Sequence, residues 1–330
     1  MVKKIRVVQF GCGPIGCKVV KLALAKPDIE IVGAIDLVNV GRDLGEVADF
    51  GRKIGVLISQ DVEAVLHLTN PDIVMHTTGS SLTEVYPQLE VVIKAGTNIV
   101  SSCEELSYPY YKQPDLANAI DRIAKDHQVT VLGTGVNPGF LMDTWPLAMT
   151  AVCQDVKQMK AVRIQDASPR RAPFQKKIGA GCTLEEFKKL VDAGTLKHVG
   201  LAESLAMIAD GLGWELEEIN EELEPVVAKT EVRSDFITVK PGQASGVKQV
   251  AHGFKKGQEV ITLDFQAYLG AEEPRDAIYI SGTPNIEVVI KGGINGDIAT
   301  AAIIVNSIPR VIRAPAGLLT MKDIPIVSAW

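Results

Sequence analysis

Residues 11–16 read Gly11-Cys12-Gly13-Pro14-Ile15-Gly16 and stand between two β-rich apolar runs at 5–10 and 29–35, with a helical pattern in Val19, Val20, Leu22 and Ala23 that stops at Pro27. That arrangement leaves few folds open. A strand that enters a tight glycine turn, continues as a helix and returns as a second apolar strand makes a βαβ unit with parallel strands. Glycines at the first, third and sixth positions give a sharp turn, a backbone that an anion can approach and close packing of helix on strand, while the helix amino terminus turns its N–H groups toward the anion. The same glycine spacing also arises for packing alone. Asp36 separates the two cases, because it ends the second strand 20 residues after Gly16, where a carboxylate accepts hydrogen bonds from ribose hydroxyls. The segment points to a bound dinucleotide.

The alternation continues along the chain. Helical patterns at 61–68, 81–95 and 113–127 alternate with short apolar strands at 72–75, 97–101 and 129–132, as in a doubly wound sheet that ends near Pro138. With 330 residues there is room for two domains, each able to bury a core without disulfides or metal. From 157 the rhythm changes to a strand at 157–165, a loop at 169–181 rich in Pro, Arg, Lys and Gly, helical segments at 183–193 and 202–212, and strands at 225–240, 247–256, 258–269, 275–281 and 286–291. Strands without intervening helices predict a mostly antiparallel sheet. The expected fold is α/β: an amino-terminal Rossmann domain with a doubly wound parallel sheet, plus a second α+β domain with a mostly antiparallel open sheet. Such a sheet needs cover from its own helices or from the same face of a second subunit, so a homodimer is expected. A last helix, over 297–313, carries an apolar stripe and can return to the first domain.

Composition narrows the partners. A formal net charge of −6, 5% aromatic residues and no long basic run argue against nucleic acid and anionic membrane surfaces as partners and favour small molecules. No apolar run approaches the roughly 20 residues needed to span a bilayer, and no leader pattern stands at the amino terminus, so no membrane partner is expected and the cytoplasm is the default location. Cys12, Cys17, Cys103, Cys153 and Cys182 are scattered without a Cys-x-x-Cys pair; small buried thiols are expected, with neither disulfides nor a metal site.

Candidate site residues cluster at predicted strand ends. Gly11, Gly13, Pro14, Ile15 and Gly16 would receive a pyrophosphate and Asp36 a ribose. Asp36 argues for NAD, since a carboxylate beside a 2'-phosphate costs repulsion. Arg42, in the loop that follows, is either a solvated surface cation or the partner of that phosphate, which would admit NADP. Thr77, Thr78 and Gly79 follow one strand, and Asn137 follows another, either as the plain cap of a helix starting at Pro138 or as an amide facing the cofactor. His76 reads as a buried, satisfied imidazole. Ser102, Cys103, Glu104 and Glu105 follow the strand at 97–101, and a glutamate in a partly apolar cleft has its pKa moved toward neutrality, which suits proton transfer. Glu104 is favoured over Glu105; the bland alternative is that both cap the next turn. In the second half, Arg163, Gln165 and His198 are candidates for holding a substrate carboxylate, and Trp145 either walls a pocket or belongs to the core.

These segments together resemble the 2,4-diaminopentanoate dehydrogenases and native amine dehydrogenases. The resemblance runs through Asp36 with Val40-Gly41-Arg42-Asp43-Leu44-Gly45-Glu46, His76-Thr77-Thr78-Gly79, Cys103-Glu104-Glu105-Leu106, Gly135-Val136-Asn137-Pro138-Gly139-Phe140 and Arg163-Ile164-Gln165-Asp166-Ala167-Ser168, and reaches Pro315-Ala316-Gly317. It implies a dinucleotide-binding domain over 1–145 completed by 297–330, a substrate-binding and dimerisation domain over 146–296, use of NAD and/or NADP, and one catalytic glutamate at Glu104. It implies oxidative deamination of an amine to a ketone and ammonia, reversible as reductive amination. The chemistry is consistent with one acid: an amine of pKa ~10 is mostly ammonium near neutral pH, so a base must free its lone pair before hydride leaves, and must then activate water against the iminium. More distantly the chain resembles dihydrodipicolinate reductases, but the His-His and Lys-x-x-x-Pro-Ser-Gly-Thr segments of those enzymes have no counterpart at 163–182, and the lysine that sugar dehydrogenases place after the corresponding glutamate is also missing. A cyclic-imine reductase and a nucleotide-sensing regulator without turnover remain the alternatives.

Overall fold

A computed structural model describes residues 3–330. The expectation about a leader rests partly on Met1 and Val2, which lie outside the described residues. The chain divides into two compact units, one running to Phe140 and resuming at Asn295–Trp330, the other covering Leu141–Ile294.

The first unit begins with β1 (Ile5–Phe10), α1 (Pro14–Leu24) and β2 (Ile29–Ile35), the predicted βαβ. It continues through α2 (Leu44–Val47), β3 (Ile58–Ser59), α3 (Val62–Thr69), β4 (Ile73–His76), α4 (Leu82–Lys94), β5 (Asn98–Ser101), α5 (Pro114–Asp126) and β6 (Thr130–Gly133). Every pairing among these strands is parallel. β2 and β3 lie to one side of β1, while β4, β5 and β6 lie to the other, so the direction of winding reverses between β1 and β4. Ligands of open parallel sheets bind outside the carboxyl ends of the strands at that reversal. The core over this sheet joins Val8, Val74 and Ile99 to Leu89, Val92 and Ile120 from α4 and α5, which explains the continuous apolar runs read as buried strands.

The second unit opens with α6 (Thr144–Met149), β7 (Asp155–Asp166), α7 (Ala172–Lys177), α8 (Leu184–Asp192) and α9 (Leu201–Gly211), then β8 (Glu218–Val227), β9 (Val232–Arg233), β10 (Thr238–Val239), β11 (Ala244–Lys255), β12 (Gln258–Tyr268), β13 (Arg275–Thr283) and β14 (Ile286–Lys291). Its main sheet has the order β14-β13-β7-β12-β11-β8. All pairs are antiparallel except β7 with β12, so the sheet is mostly antiparallel as expected, with one parallel pair that was not foreseen. Buried α9 residues Leu201, Leu205 and Ile208 pack in one core with Ala161, Leu263 and Phe265. The chain then returns to the first unit as α10 (Gly296–Val311), which packs on α1, and β15 (Gly317–Leu319), which adds a seventh parallel strand beside β6.

Two segments depart from expectation. The loop at 169–181 contains α7, held by the buried amide of Gln175, whose Nε2 donates to the carbonyls of Ala167, Ser168 and Arg170 at 2.8–3.0 Å. The single strand expected at 225–240 is the end of β8 followed by the small β9–β10 pair, broken where Ser234 Oγ accepts the N–H groups of Phe236 and Ile237. Such side-chain turns compete with strand pairing and leave no apolar-polar periodicity to read. No helix among the described residues is long and apolar enough to cross a membrane.

Candidate functional site

The glycine loop leaves β1 through a buried glutamine. Gln9 Nε2 donates to Gly11 O at 2.7 Å and to Thr77 Oγ1 at 2.8 Å, and Thr77 Oγ1 in turn donates to Gly11 O at 2.8 Å. This joins the carboxyl ends of β1 and β4. Gln9 was not singled out from the sequence; its signal is a polar side chain near the carboxyl end of the strand, between apolar Val8 and Phe10 and directly before the loop. Gly11 has φ +93°, and a Cβ there would lie 2.6 Å from Thr77 O. At Gly16 a Cβ would stand 1.9 Å from Gly11 O, so α1 crosses the loop too closely for any side chain. Gly13 differs: a Cβ would meet nothing within 4 Å. It is the exposed N-cap of α1, which has no side-chain cap and carries exposed Pro14 and half-buried Ile15 in its first turn. An uncapped helix end above open space fits a pyrophosphate.

Asp36 closes β2 beside this loop. One carboxylate oxygen accepts the N–H of Cys12, the other that of Val38 at 2.7 Å. Each oxygen has more than one acceptor position, so ribose hydroxyls can still be received. The exposed Arg42 follows on a turn anchored to β3 by Gly41 N to Ile58 O and Ile58 N to Arg42 O, at 2.8 and 3.0 Å. Its Nη1 donates to Asn39 Oδ1 at 2.8 Å, leaving most of its five donors for a further acceptor.

At the end of β4, His76 is fully buried. Its Nδ1 lies 2.8 Å from Ser101 Oγ and its Nε2 2.9 Å from both Gln88 Oε1 and Thr78 Oγ1. Burial lowers its pKa to about 4, so it is a neutral, satisfied imidazole. Thr77 and Gly79 are half-buried and Thr78 exposed on the same edge.

β5 leads into Ser102, Cys103 and a 3-10 turn over Glu104–Ser107. Ser102 N donates to His76 O at 2.9 Å. The Cys103 thiol is buried and donates to Ser80 O, and desolvation pushes its pKa up to about 12. The two glutamates diverge. Glu105 Oε2 accepts from Leu82 N and from Gln113 Nε2, each at 2.7 Å, while Glu104 is half-buried at the sheet's carboxyl edge.

β6 ends in Gly133, and Thr134 N donates to Ser101 O at 2.8 Å, placing Asn137 on the same edge. The helix expected to start at Pro138 does not form. Gly139 takes φ +122°, outside helical space, and the helix begins at Thr144, capped by Asp143. The structure thus gathers the glycine loop, Asp36, Thr77 to Gly79, Ser102 to Glu104 and Asn137 at the carboxyl ends of five neighbouring strands of one sheet.

The other candidates belong to the second unit. Arg163 faces the core of β7 and is fully buried; Nη1 donates to Asp276 Oδ1 at 2.6 Å and Nη2 to Ile294 O at 2.9 Å. Its charge is therefore neutralised within the unit, which corrects the expectation of a substrate-facing cation. Gln165 Oε1 accepts from Arg170 Nη1 at 3.1 Å. Half-buried His198 stacks on Phe265 with ring centroids 4.3 Å apart, and burial together with the Lys177 and Arg163 charges lowers its pKa to about 3. Half-buried Trp145 packs one side against the unit's core.

Comparison with known proteins follows the same division. A family profile described as the 2,4-diaminopentanoate dehydrogenase C-terminal domain matches residues 140–330. The 2,4-diaminopentanoate dehydrogenase of Acetoanaerobium sticklandii is 34% identical over 99% of this chain and 95% of its own. The chain belongs to this dehydrogenase family. The solved amine dehydrogenase of Mycobacterium smegmatis superimposes with a TM-score of 0.87 at 26% identity, covering 100% of this chain and 98% of that one. An amine dehydrogenase of Streptomyces virginiae is 22% identical over 98% and 97% of the two chains. Residues 5–104 match a profile described as the dihydrodipicolinate reductase N-terminus; that match covers cofactor-half segments only. Family membership makes the chain an oxidoreductase that uses NAD or NADP.

Proposed function

We propose that this family member catalyses reversible oxidative deamination of an amine, 2,4-diaminopentanoate or a simpler one, to a ketone and ammonia, with Glu104 as the proton-transfer group. The observation that carries the reading is the division of labour within the glutamate pair: Glu105 is tied to the start of α4, while Glu104 stands at the sheet edge on which the dinucleotide-binding features converge.

When bound, NAD(P) supplies the hydride acceptor. Residues 11–16 would hold its pyrophosphate, Asp36 would receive the ribose hydroxyls, and Arg42 would pair with a 2'-phosphate were NADP used. Thr77, Thr78, Gly79, the backbone of Ser102 and Cys103, and the Asn137 amide line the rest of the edge. Glu104 removes a proton from the ammonium and so frees the lone pair that drives hydride out. After passing that proton to solvent, the Glu104 carboxylate stabilises the iminium, takes the proton of the attacking water and returns it to the nitrogen that departs as ammonia; in reverse it assists loss of water from the ammonia adduct. The second unit is assigned to substrate and dimer contacts, with Gln165, His198 and Trp145 its candidate substrate residues. The dimer partner is a second copy meeting the sheet face opposite α9. Five free thiols agree with a reducing, cytoplasmic setting.

The test is reduced-nicotinamide absorbance with NAD or NADP and a panel of amines. Turnover that vanishes in Glu104→Gln while cofactor still binds is the expected result. Binding without turnover on any amine would instead favour a nucleotide sensor, and turnover on cyclic imines alone would favour the imine reductase.

A further inference from the structure

Glu105 has no part in the reaction just described, yet its carboxylate accepts two hydrogen bonds from outside the Glu104 turn. We infer that Glu105 is a positioning residue that latches the Glu104 turn onto the start of α4; the inference rests on Glu104 being the proton-transfer group. A 3-10 turn of four residues is too short to fix its own orientation. External contacts therefore decide where the Glu104 side chain points.

The latch has two sides. On the α4 side, the Glu105 carboxylate receives Leu82 N at 2.7 Å, supplying the acceptor that Ser81, the N-cap of α4, does not provide from its own side chain. It also receives Gln113 Nε2 at 2.7 Å, and Gln113 Oε1 accepts from Thr83 Oγ1 at 3.1 Å, which returns the contact to α4. Glu105 N and Cys103 Sγ both donate to Ser80 O, at 3.2 Å each. On the β5 side, Ser101 Oγ accepts Cys103 N at 3.1 Å. Gln88 Oε1 can only accept, so His76 carries its proton on Nε2 and its Nδ1 accepts from the Ser101 hydroxyl. That fixes the Ser101 oxygen as the acceptor for the residue that enters the turn. Buried His76 and half-buried Glu105 thus hold the turn at its beginning and its flank.

Proton transfer depends steeply on placement, and a displacement of 1 Å can cost on the order of a hundredfold in rate. The experiment compares Glu105→Ala, Glu105→Gln and Glu104→Gln. It measures kcat against pH with an amine and NAD, NADH affinity by fluorescence, and amide hydrogen exchange at Leu82 and residues 104–107 of the cofactor-free protein. Glu105→Ala should lower kcat by about tenfold, alter the acidic limb of the pH profile, keep NADH affinity within about twofold and speed exchange at Leu82. Glu105→Gln should restore most of the rate and the slow exchange, because a carboxamide oxygen still accepts both N–H groups. Wild-type kcat and exchange in Glu105→Ala would overturn the latch alone. A Glu105→Gln variant as inactive as Glu104→Gln would overturn it by giving Glu105 a direct chemical part. An active Glu104→Gln would overturn the proposed function, and the latch with it, since no base would remain for Glu105 to position.

Discussion

Arg163 Nη1 lies 2.6 Å from Asp276 Oδ1, and both side chains are within 2% of complete burial. Asp276 Oδ2 also accepts Ile294 N at 2.7 Å, and Arg163 Nη2 donates to Ile294 O, so the pair grips both backbone groups of the last residue of the second unit. Burial disfavours both charged forms, and the short contact opposes it. Removing one partner of such a pair strands the other charge and costs about 3–5 kcal/mol. Asp276→Ala should therefore lower the denaturant midpoint sharply, while the double change Arg163→Met with Asp276→Leu should lose much less. Equal losses in both would show that packing, not the stranded charge, sets the cost.

Glu104→Gln is expected to reduce kcat by about 10²- to 10⁴-fold, the range for losing a general base. NADH affinity should stay within about twofold, since the pyrophosphate and ribose contacts are untouched. A KM change with wild-type kcat would remove Glu104 from the chemistry.

Arg42→Ala should weaken NADPH by about tenfold or more, the worth of one charge-assisted pair, and leave NADH nearly unchanged. The loss should shrink as salt rises. Isothermal titration with both cofactors reads this directly, and an unchanged ratio of the two affinities would return Arg42 to the solvent.

The glycine loop offers a paired test. Gly16→Ala puts a methyl 1.9 Å from Gly11 O and should destabilise the free protein strongly. Gly13→Ala meets nothing within 4 Å and should melt like wild type, yet bind cofactor poorly, because the methyl occupies the space an approaching phosphate needs. Should Gly13→Ala bind NADH normally, the anion does not approach the loop there.

Acid should weaken the fold through His76. Its folded pKa of about 4 lies below the ordinary 6.5, so between those values the unfolded chain takes up a proton that the folded chain refuses. Stability is full above the ordinary value, declines as pH falls toward 4 and is lost no further below it. The gap corresponds to about 3 kcal/mol. His198 acts in the same sense. Urea midpoints at about pH 7 and pH 4.5 should differ less in His76→Gln than in wild type, and identical differences would count against the imidazole.

Much of the first unit was legible because its signals are local. The glycine spacing, Asp36 and the apolar strands fall within short windows, and buried parallel strands read as plain apolar runs. Glu104 was favoured over its neighbour Glu105 without a local rule that separates them; Leu82 N and Gln113, which engage Glu105, are brought to it only by tertiary folding. The position of Arg163 on a strand was readable, but Asp276 is 113 residues away, so its neutralisation was not. Asn137 failed as a helix cap because Gly139 takes a backbone conformation that composition alone cannot announce.

The pairing of β15 with β6 carries a consequence for biosynthesis. Residues 141–294 are translated before the strand that completes the first sheet, so on the ribosome β6 remains an open edge while the whole intervening unit emerges. Closing so long an excursion adds little to the equilibrium cost but delays the final step of assembly. Quality control in the cell should therefore act most strongly on chains stalled short of Gly317.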